Sequence, residues 1–408
     1  MEIRLPHLEE WQQEVFDELD GKFGQGGYYI VKSGRQRGKT LLIKLMVIVY
    51  ALRKKCINVI IEPVSSQCRR VHKEIVSILE RAGLVVSSNA QTCETELING
   101  STILVASGES RDSIRGITCT GLCVFDECAF LSDEVIQIVL PLVQVHKAPV
   151  LMCSTPLFTE GFFYERWIDD SPHVFHFDWS DPKYDQSKYI SQEQIEDYRR
   201  TYTKHKFTTE VLGEFIKDES FVFGDFKSCL GESNDDPIYG GIDFGSGSGG
   251  DYTVLTLFDA HKRVCKVWST NNLEPQAQID TLSDLINNYP SLKEIRAEVN
   301  SLGAVYFDAI KDKLKRKYVL KPFTTTNESK RSIVEKVILA FQNKEIQIPN
   351  DEVLLKQLSY FQIKKTKKGY TYENDNPNTH DDAVMSLCIG YSCFEESKTG
   401  SFGFARRI

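Results

Sequence analysis

The chain has 408 residues, more than one hydrophobic core ordinarily organises, so two or three domains are expected. Hydrophobic residues make up 41% and charged residues 26%, values of a folded, soluble chain that argue against long disorder. A formal net charge of -8 excludes a uniformly basic nucleic-acid binder, but not one that grips a phosphate backbone through local basic patches while acidic catalytic clusters lower the total.

The opening segment, MEIRLPHLEEWQQ, has no positive region followed by an apolar core, so no secretory leader is expected. From Tyr28 to about Pro156 apolar strands alternate with helical stretches, the pattern of a parallel sheet with crossover helices. Strands are predicted at YYIVKS, INVIIEP, STILVASG, TGLCVFDE and APVLMCST, with helices at Thr40 to Lys55 and Ser66 to Arg81. The longest apolar stretch, Leu41 to Leu52, is broken by Lys44 and too short to cross a bilayer, so no membrane role is expected. The eleven cysteines are scattered and read as reduced, buried thiols. Cys119, Cys123 and Cys128 have neither CxxC pairs nor a nearby histidine and do not suggest zinc.

Asp178 to Ile216 is polar and helical, rich in Lys, Arg and aromatics, and suggests a small subdomain; breaker residues between Lys217 and Pro237 suggest a linker. Beyond it come a strand ending in Asp243, a glycine loop and two more strands. Alternating helices and strands follow, among them EIRAEVN and YVLKPF. Three antiparallel strands followed by such alternation is the order of an RNase H-like core.

Residues SGRQRGKT follow an apolar strand and open an apolar helix, the context a phosphate-binding loop requires. Backbone N–H groups of Ser33, Gly34, Arg35, Gln36, Arg37 and Gly38, with the helix N-terminus, would wrap the phosphate oxygens of ATP. Lys39 would reach the β- and γ-phosphates and Thr40 would bind Mg2+; Ser33 stands where the usual pattern has its first glycine. LCVFDE delivers two acids at a strand end, so that Asp126 can hold magnesium and Glu127 can polarise the attacking water.

A second acidic set is spread along the chain: Asp243 before a glycine loop, Glu298 on EIRAEVN, and Asp381 with Asp382 at a helix start in NTHDDAVMSLCIG. Carboxylates gathered from distant segments suit one or two Mg2+ or Mn2+ ions acting on a phosphodiester, with Asp251 as an outer acid and no cluster of histidine or cysteine accompanying them. KYISQEQIEDYRRTYTKHKF and FQIKKTKKGYTY mix basic residues with aromatics and are candidate contacts for double-stranded DNA.

The arginine-bearing loop, the acidic pair with SIRGITCTG before it and LMCSTP after it, the segment NESKRSIVEKVILAFQNKEIQIP and the terminal HDD together resemble the large subunits of tailed-phage terminases. The resemblance implies an α/β chain: a P-loop (RecA/ASCE-like) parallel-sheet ATPase domain over residues 1–216, with a helical lid at about 160–216, then a linker at 217–237. An RNase H-like mixed α/β nuclease at 238–395 and a tail at 396–408 would complete it. It implies that Arg35 serves as an arginine finger, with Arg37 as the alternative. Gln12 would meet the adenine, and Ser154 and Thr155 would couple hydrolysis to movement. It also implies a packaging motor in the host cytoplasm during virion assembly, with a portal protein, a small terminase subunit and a homo-oligomeric ring as partners. The alternatives are a host-type helicase-nuclease or defence ATPase-nuclease, which should show two motor domains or further helicase motifs, and a nucleotide-gated DNA binder, which has no need of Glu127.

Overall fold

The computed structural model describes residues 6–110, 114–169, 173–179, 183–184, 190–216, 222–245, 251–366, 369–374 and 380–394. The chain divides into two compact units, the first holding residues 1–218 and 366–369 and the second residues 219–365 and 370–408.

The first unit is built on eight strands: β1 (Tyr28–Ser33), β2 (Ile57–Glu62), β3 (Val85–Asn89), β4 (Glu94–Leu97), β5 (Thr102–Ser107), β6 (Cys123–Phe125), β7 (Val150–Ser154) and β8 (His173–Phe177). Their order is β3-β4-β5-β2-β6-β7-β1-β8, parallel from β5 to β8, with β3 and β4 an antiparallel edge. Every residue of β6 and β7 is buried, because helices cover both faces of the sheet. Helices α1 (Glu10–Leu19), α2 (Lys39–Arg53) and α3 (Ser65–Arg81) share one apolar cluster through Trp11, Leu42, Met46 and Ile75. Across the sheet, Val135, Ile136 and Val139 of α4 (Asp133–Gln144) join Phe125 and Met152 in a second cluster.

The sequence pattern does not announce β3, β4 or β8. These strands are largely exposed, so none forms the continuous apolar run that marks a buried parallel strand. The stretch expected to be a helical lid thus contributes β8 to the main sheet, as well as helices α5 (Gly161–Ile168) and α6 (Gln192–Thr201). Ile190, Ile195, Phe207 and Val211 form a small cluster of their own around α6. Residues 217–221 of the expected linker and the whole expected tail, 396–408, lie outside the described residues.

The second unit has the sheet order β11-β10-β9-β12-β13, with β9 (Tyr239–Asp243), β10 (Thr253–Phe258), β11 (Val264–Thr270), β12 (Glu294–Glu298) and β13 (Leu320–Phe323). The β9-β10-β11 part is antiparallel and β9-β12-β13 parallel, the mixed sheet that the strand order predicted. Helices α7 (Pro275–Asn287), α8 (Gly303–Lys313), α9 (Asn327–Gln342), α10 (Glu352–Tyr360) and α11 (Asp382–Tyr391) accompany it, with a hairpin of β14 (Phe361–Thr366) and β15 (Gly369–Asn374). Helix α11 lies directly on β9. A Cβ on Gly241 would sit 2.1 Å from the Ser386 carbonyl oxygen and 2.3 Å from the Gly390 nitrogen, so glycine is what lets the backbones meet. That approach brings the N-terminus of α11 to the end of the strand that carries Asp243. Among the described residues no helix is long and apolar enough to cross a membrane.

Candidate functional site

Strands β6, β7 and β1 are parallel neighbours, so the segments that leave their C-terminal ends emerge side by side. The loop after β1 turns on left-handed residues, Gln36 at φ 60° and Gly38 at φ 86°, and runs into the N-terminus of α2. A Cβ at Gly38 would also meet Gln12 Nε2 at 2.7 Å. Gln12 is buried on α1 and donates from Nε2 to the Gly38 carbonyl at 3.0 Å, which ties the N-terminal helix to the loop. Buried Lys39 donates from Nζ to the Gly34 carbonyl at 3.1 Å and to Thr155 Oγ1 at 3.0 Å, while Thr40 Oγ1 donates to Asp126 Oδ2 at 3.0 Å. Ser33 and Gly34 are buried and Arg35 and Gln36 exposed. The predicted loop, acid and coupling residues therefore meet in one place.

The two arginines differ. Arg35 is exposed and pairs with Glu210 at 2.9 Å, whereas Arg37 is buried with its guanidinium 4.7 Å from the Trp179 ring centre and 5.7 Å from that of Trp11. Beside the loop is a cavity of about 560 Å3 lined by Gln12, Arg35, Gln194, Tyr198, Tyr202 and Lys206, among others. Part of the basic and aromatic run read as a DNA contact also lines this cavity beside the phosphate-binding loop; its first residues, Lys188 and Tyr189, lie outside the described residues.

Asp126 is buried, and that burial, reinforced by neighbouring Glu127 and opposed by Lys39 and Thr40, pushes its carboxyl up to about 6. Glu127 is held at φ 47°, an uncommon backbone state for a non-glycine residue. Its N–H donates to Asp126 Oδ1 at 2.9 Å, and its Oε2 lies 3.4 Å from Ser154 Oγ and from the Thr155 nitrogen. A third acid, Glu62, escaped the sequence reading. It ends β2 in register beside β6, where Ile61 lies opposite Phe125 and the Asp126 N–H donates to the Ile61 carbonyl at 3.0 Å. Glu62 is 2% exposed, and burial, then Asp126 and Glu127, push it up to about 9 against a partial offset from Arg70. The signal was present: INVIIEP ends an apolar run in an acid just as LCVFDE does.

In the second unit, Ala297 pairs with Ile242, so Glu298 and Asp243 leave β12 and β9 side by side. Asp243 is buried. Its carboxyl is raised well above the usual range, chiefly by burial, then by Glu298, with which it shares a hydrogen bond, then by Asp382 and Asp381. Asp382 Oδ2 accepts the Tyr252 N–H at 2.7 Å. Burial dominates the shift that lifts Asp382 to about 6, and Asp381 and Asp251 add to it. Lys330 donates to Asp381 Oδ2 at 2.7 Å. One histidine stands beside the acids: His380 Nδ1 lies 2.8 Å from Asp251 Oδ1, and ligand atoms of Asp251, His380 and Asp382 all fall within 4.8 Å of one another. NTHDDAV contained that histidine, but a single letter beside two acids did not reveal that Asp251 would face it. In the hairpin proposed as a DNA contact, Lys364 is 4.0 Å from Glu373, and Lys367 and Lys368 lie outside the described residues.

Both donor sets suit a small divalent cation. Thr40 with Asp126, and Asp243 with Glu298, Asp381 and Asp382, offer hard oxygens, and the upward shifts of Asp126, Asp243 and Asp382 mark carboxylate charge that a cation would compensate.

Residues 30–228 match the family model "Terminase large subunit, T4likevirus-type, N-terminal", and residues 240–393 match "Terminase RNaseH-like domain". The large terminase subunit of Thermus phage G20c is 23% identical over 321 residues, a stretch covering 71% of this chain and 64% of that relative, so the chain spans under two thirds of the relative's length. The solved large terminase of a thermophilic bacteriophage superposes with a TM-score of 0.63 at 15% identity over 95% of this chain and all of the other. The complex of that terminase with ADP gives a TM-score of 0.60, also at 15% identity, over 95% of this chain and all of the other. The fold is accordingly a P-loop parallel-sheet unit followed by an RNase H-like mixed α/β unit.

Proposed function

Because this chain belongs to the terminase large-subunit family, we propose that it is an ATP-driven motor that moves double-stranded DNA into a viral procapsid and a metal-dependent endonuclease that cuts the same DNA. The observation that carries the reading is the joint presence of two chemically complete clusters in one chain. One is Lys39, Thr40, Asp126 and Glu127 round a phosphate-binding loop; the other is Asp243, Glu298, Asp381 and Asp382 at a strand-helix junction. The helicase-nuclease alternative needs a second motor domain, and the second unit has a mixed five-stranded sheet instead.

In the motor, the N-terminus of α2 and the loop from Ser33 to Gly38 cradle the phosphates, and Lys39 exchanges its bonds to Gly34 and Thr155 for phosphate oxygens. Thr40 and Asp126 would hold magnesium, which supplies positive charge beside the phosphate oxygens when bound. Glu127 takes a proton from the attacking water, and its links to Ser154 and Thr155 pass the change to β7. Gln12 reads the adenine edge. Arg35, exposed at the loop, is our choice for the arginine finger over Arg37, which is packed between two indoles.

In the nuclease, Asp243, Glu298 and the Asp381-Asp382 pair would hold one or two Mg2+ or Mn2+ ions, with Asp251 and His380 at the outer side. Such ions supply charge to the attacking and leaving oxygens of a phosphodiester. We assign the portal protein, a small terminase subunit and further copies of this chain as partners, and the host cytoplasm as the place of action. Purified chain given ATP, plasmid and manganese should release phosphate and nick or linearise the plasmid. Absence of either activity rejects the corresponding half of the reading.

A further inference from the structure

We propose that Glu62 is a second catalytic carboxylate of the ATPase site: its Oε1 accepts a hydrogen bond from the water that attacks the γ-phosphate and orients that water while Glu127 takes its proton. The proposal rests on reading the first unit as an ATPase and adds a residue to it. Glu62 and Asp126 leave adjacent parallel strands at the same level, since Ile61 is in register with Phe125 and the Asp126 N–H donates to the Ile61 carbonyl. The other two acids are already engaged. Asp126 uses Oδ2 for Thr40 and Oδ1 for the Glu127 N–H, and Glu127 Oε2 lies by Ser154 and Thr155.

Glu62 differs from both. Its side chain is 2% exposed, yet Oε1 has no hydrogen-bond partner among the described residues. Buried polar atoms are nearly always partnered, so an orphan facing Asp126 and Glu127 calls for a donor that arrives with the reaction. Water is that donor. Glu62 accepts from it in either protonation state, because a neutral carboxyl keeps the lone pairs of its carbonyl oxygen. In the step itself the water oxygen bonds to Pγ as the bond from Pγ to the β-phosphate oxygen breaks, and that electron pair leaves on ADP. One water proton passes to Glu127. The other stays on the new phosphate, directed at Glu62 Oε1 until release.

Glu62→Gln retains a neutral carbonyl acceptor of the same shape, and Glu62→Leu removes the acceptor at similar volume. In the full chain kcat for ATP should stay within about threefold of the parent in Glu62→Gln and fall roughly a hundredfold or more in Glu62→Leu, the range of a lost contact to the reacting group. The KM for ATP, the Mg2+ half-saturation and the affinity for a non-hydrolysable ATP analogue should stay within about threefold of the parent, because binding groups are untouched. Parental kcat in Glu62→Leu overturns the proposal. So does loss of analogue binding alongside turnover, which marks a structural role, and so does Glu62→Gln falling as far as Glu62→Leu, which marks charge rather than acceptance. Failure of the ATPase reading is separately visible as absent turnover in the parent chain.

Discussion

In the first unit, the cations and donors that face the acids come from the same loop and helix that would meet the nucleotide: Lys39 acts on Asp126, and Thr40 hydrogen-bonds it. In the second unit, Asp243, Glu298, Asp381, Asp382 and Asp251 converge while Lys330 meets Asp381 and His380 meets Asp251. At the centre of that cluster buried Asp243, hydrogen-bonded to half-buried Glu298, is left with a raised carboxyl. The first site is therefore partly compensated by its own cation and donors, and the second gathers more carboxylate charge than its own side chains offset. The difference follows from the reactions proposed: a transferred phosphoryl group is held by protein donors, whereas phosphodiester cleavage relies on metal charge.

The sharpest way to break the comparison is to disable each site alone. Lys39→Ala should take ATP turnover to background while plasmid cleavage persists, and Asp243→Asn should take cleavage to background while ATP turnover persists. Phosphate release and gel assays on the same preparations decide it, and a variant that loses both activities would deny the independence of the sites. Glu127→Gln should lower turnover by roughly a hundredfold, the range of a lost general base, with nucleotide binding kept. Fluorescent-nucleotide titration beside steady-state kinetics separates the two.

Metal should stabilise the second unit more than the first. At an ion concentration of about a hundred dissociation constants the gain is roughly 2.7 kcal/mol, or some 5–10 °C in the melting point of a unit this size. Melting curves with Mn2+ or chelator should show the shift in the parent and its loss in Asp243→Asn. The raised carboxyls set the sign of a pH effect in the metal-free chain. Asp382, lifted to about 6, keeps its proton in the folded state where the unfolded chain, at the ordinary carboxyl value near 4, has released it. Stability contributed this way is present below about 4 and is lost as pH rises through about 6, so the chelated protein should melt lower at pH 7 than at pH 5, with Mn2+ helping most at the higher pH. A melting point rising over that interval would contradict the assignment. The smallest effect is reserved for Gln12→Ala, which removes one hydrogen bond to Gly38 and should raise the KM for ATP about fivefold with kcat little changed.

Much of the molecule was legible from its sequence because local physics wrote it there. Continuous apolar runs declared β1, β2, β5, β6 and β7, since strands buried on both faces have no polar side to show. The loop from Ser33 to Thr40 was readable because phosphate binding needs consecutive residues and one helix N-terminus, and LCVFDE because a strand end delivers its acids together. Strands β3, β4 and β8 were not readable: at the sheet edge their exposed residues carry no periodic signal strong enough to compete with loop or helix. The union of Asp251 with His380, the approach of Lys330 to Asp381, and the placing of Glu62 beside Asp126 were decided by tertiary structure alone. Each depends on which strands become neighbours and on how closely α11 can lie on β9 over Gly241, and those are properties of packing between segments distant in the chain.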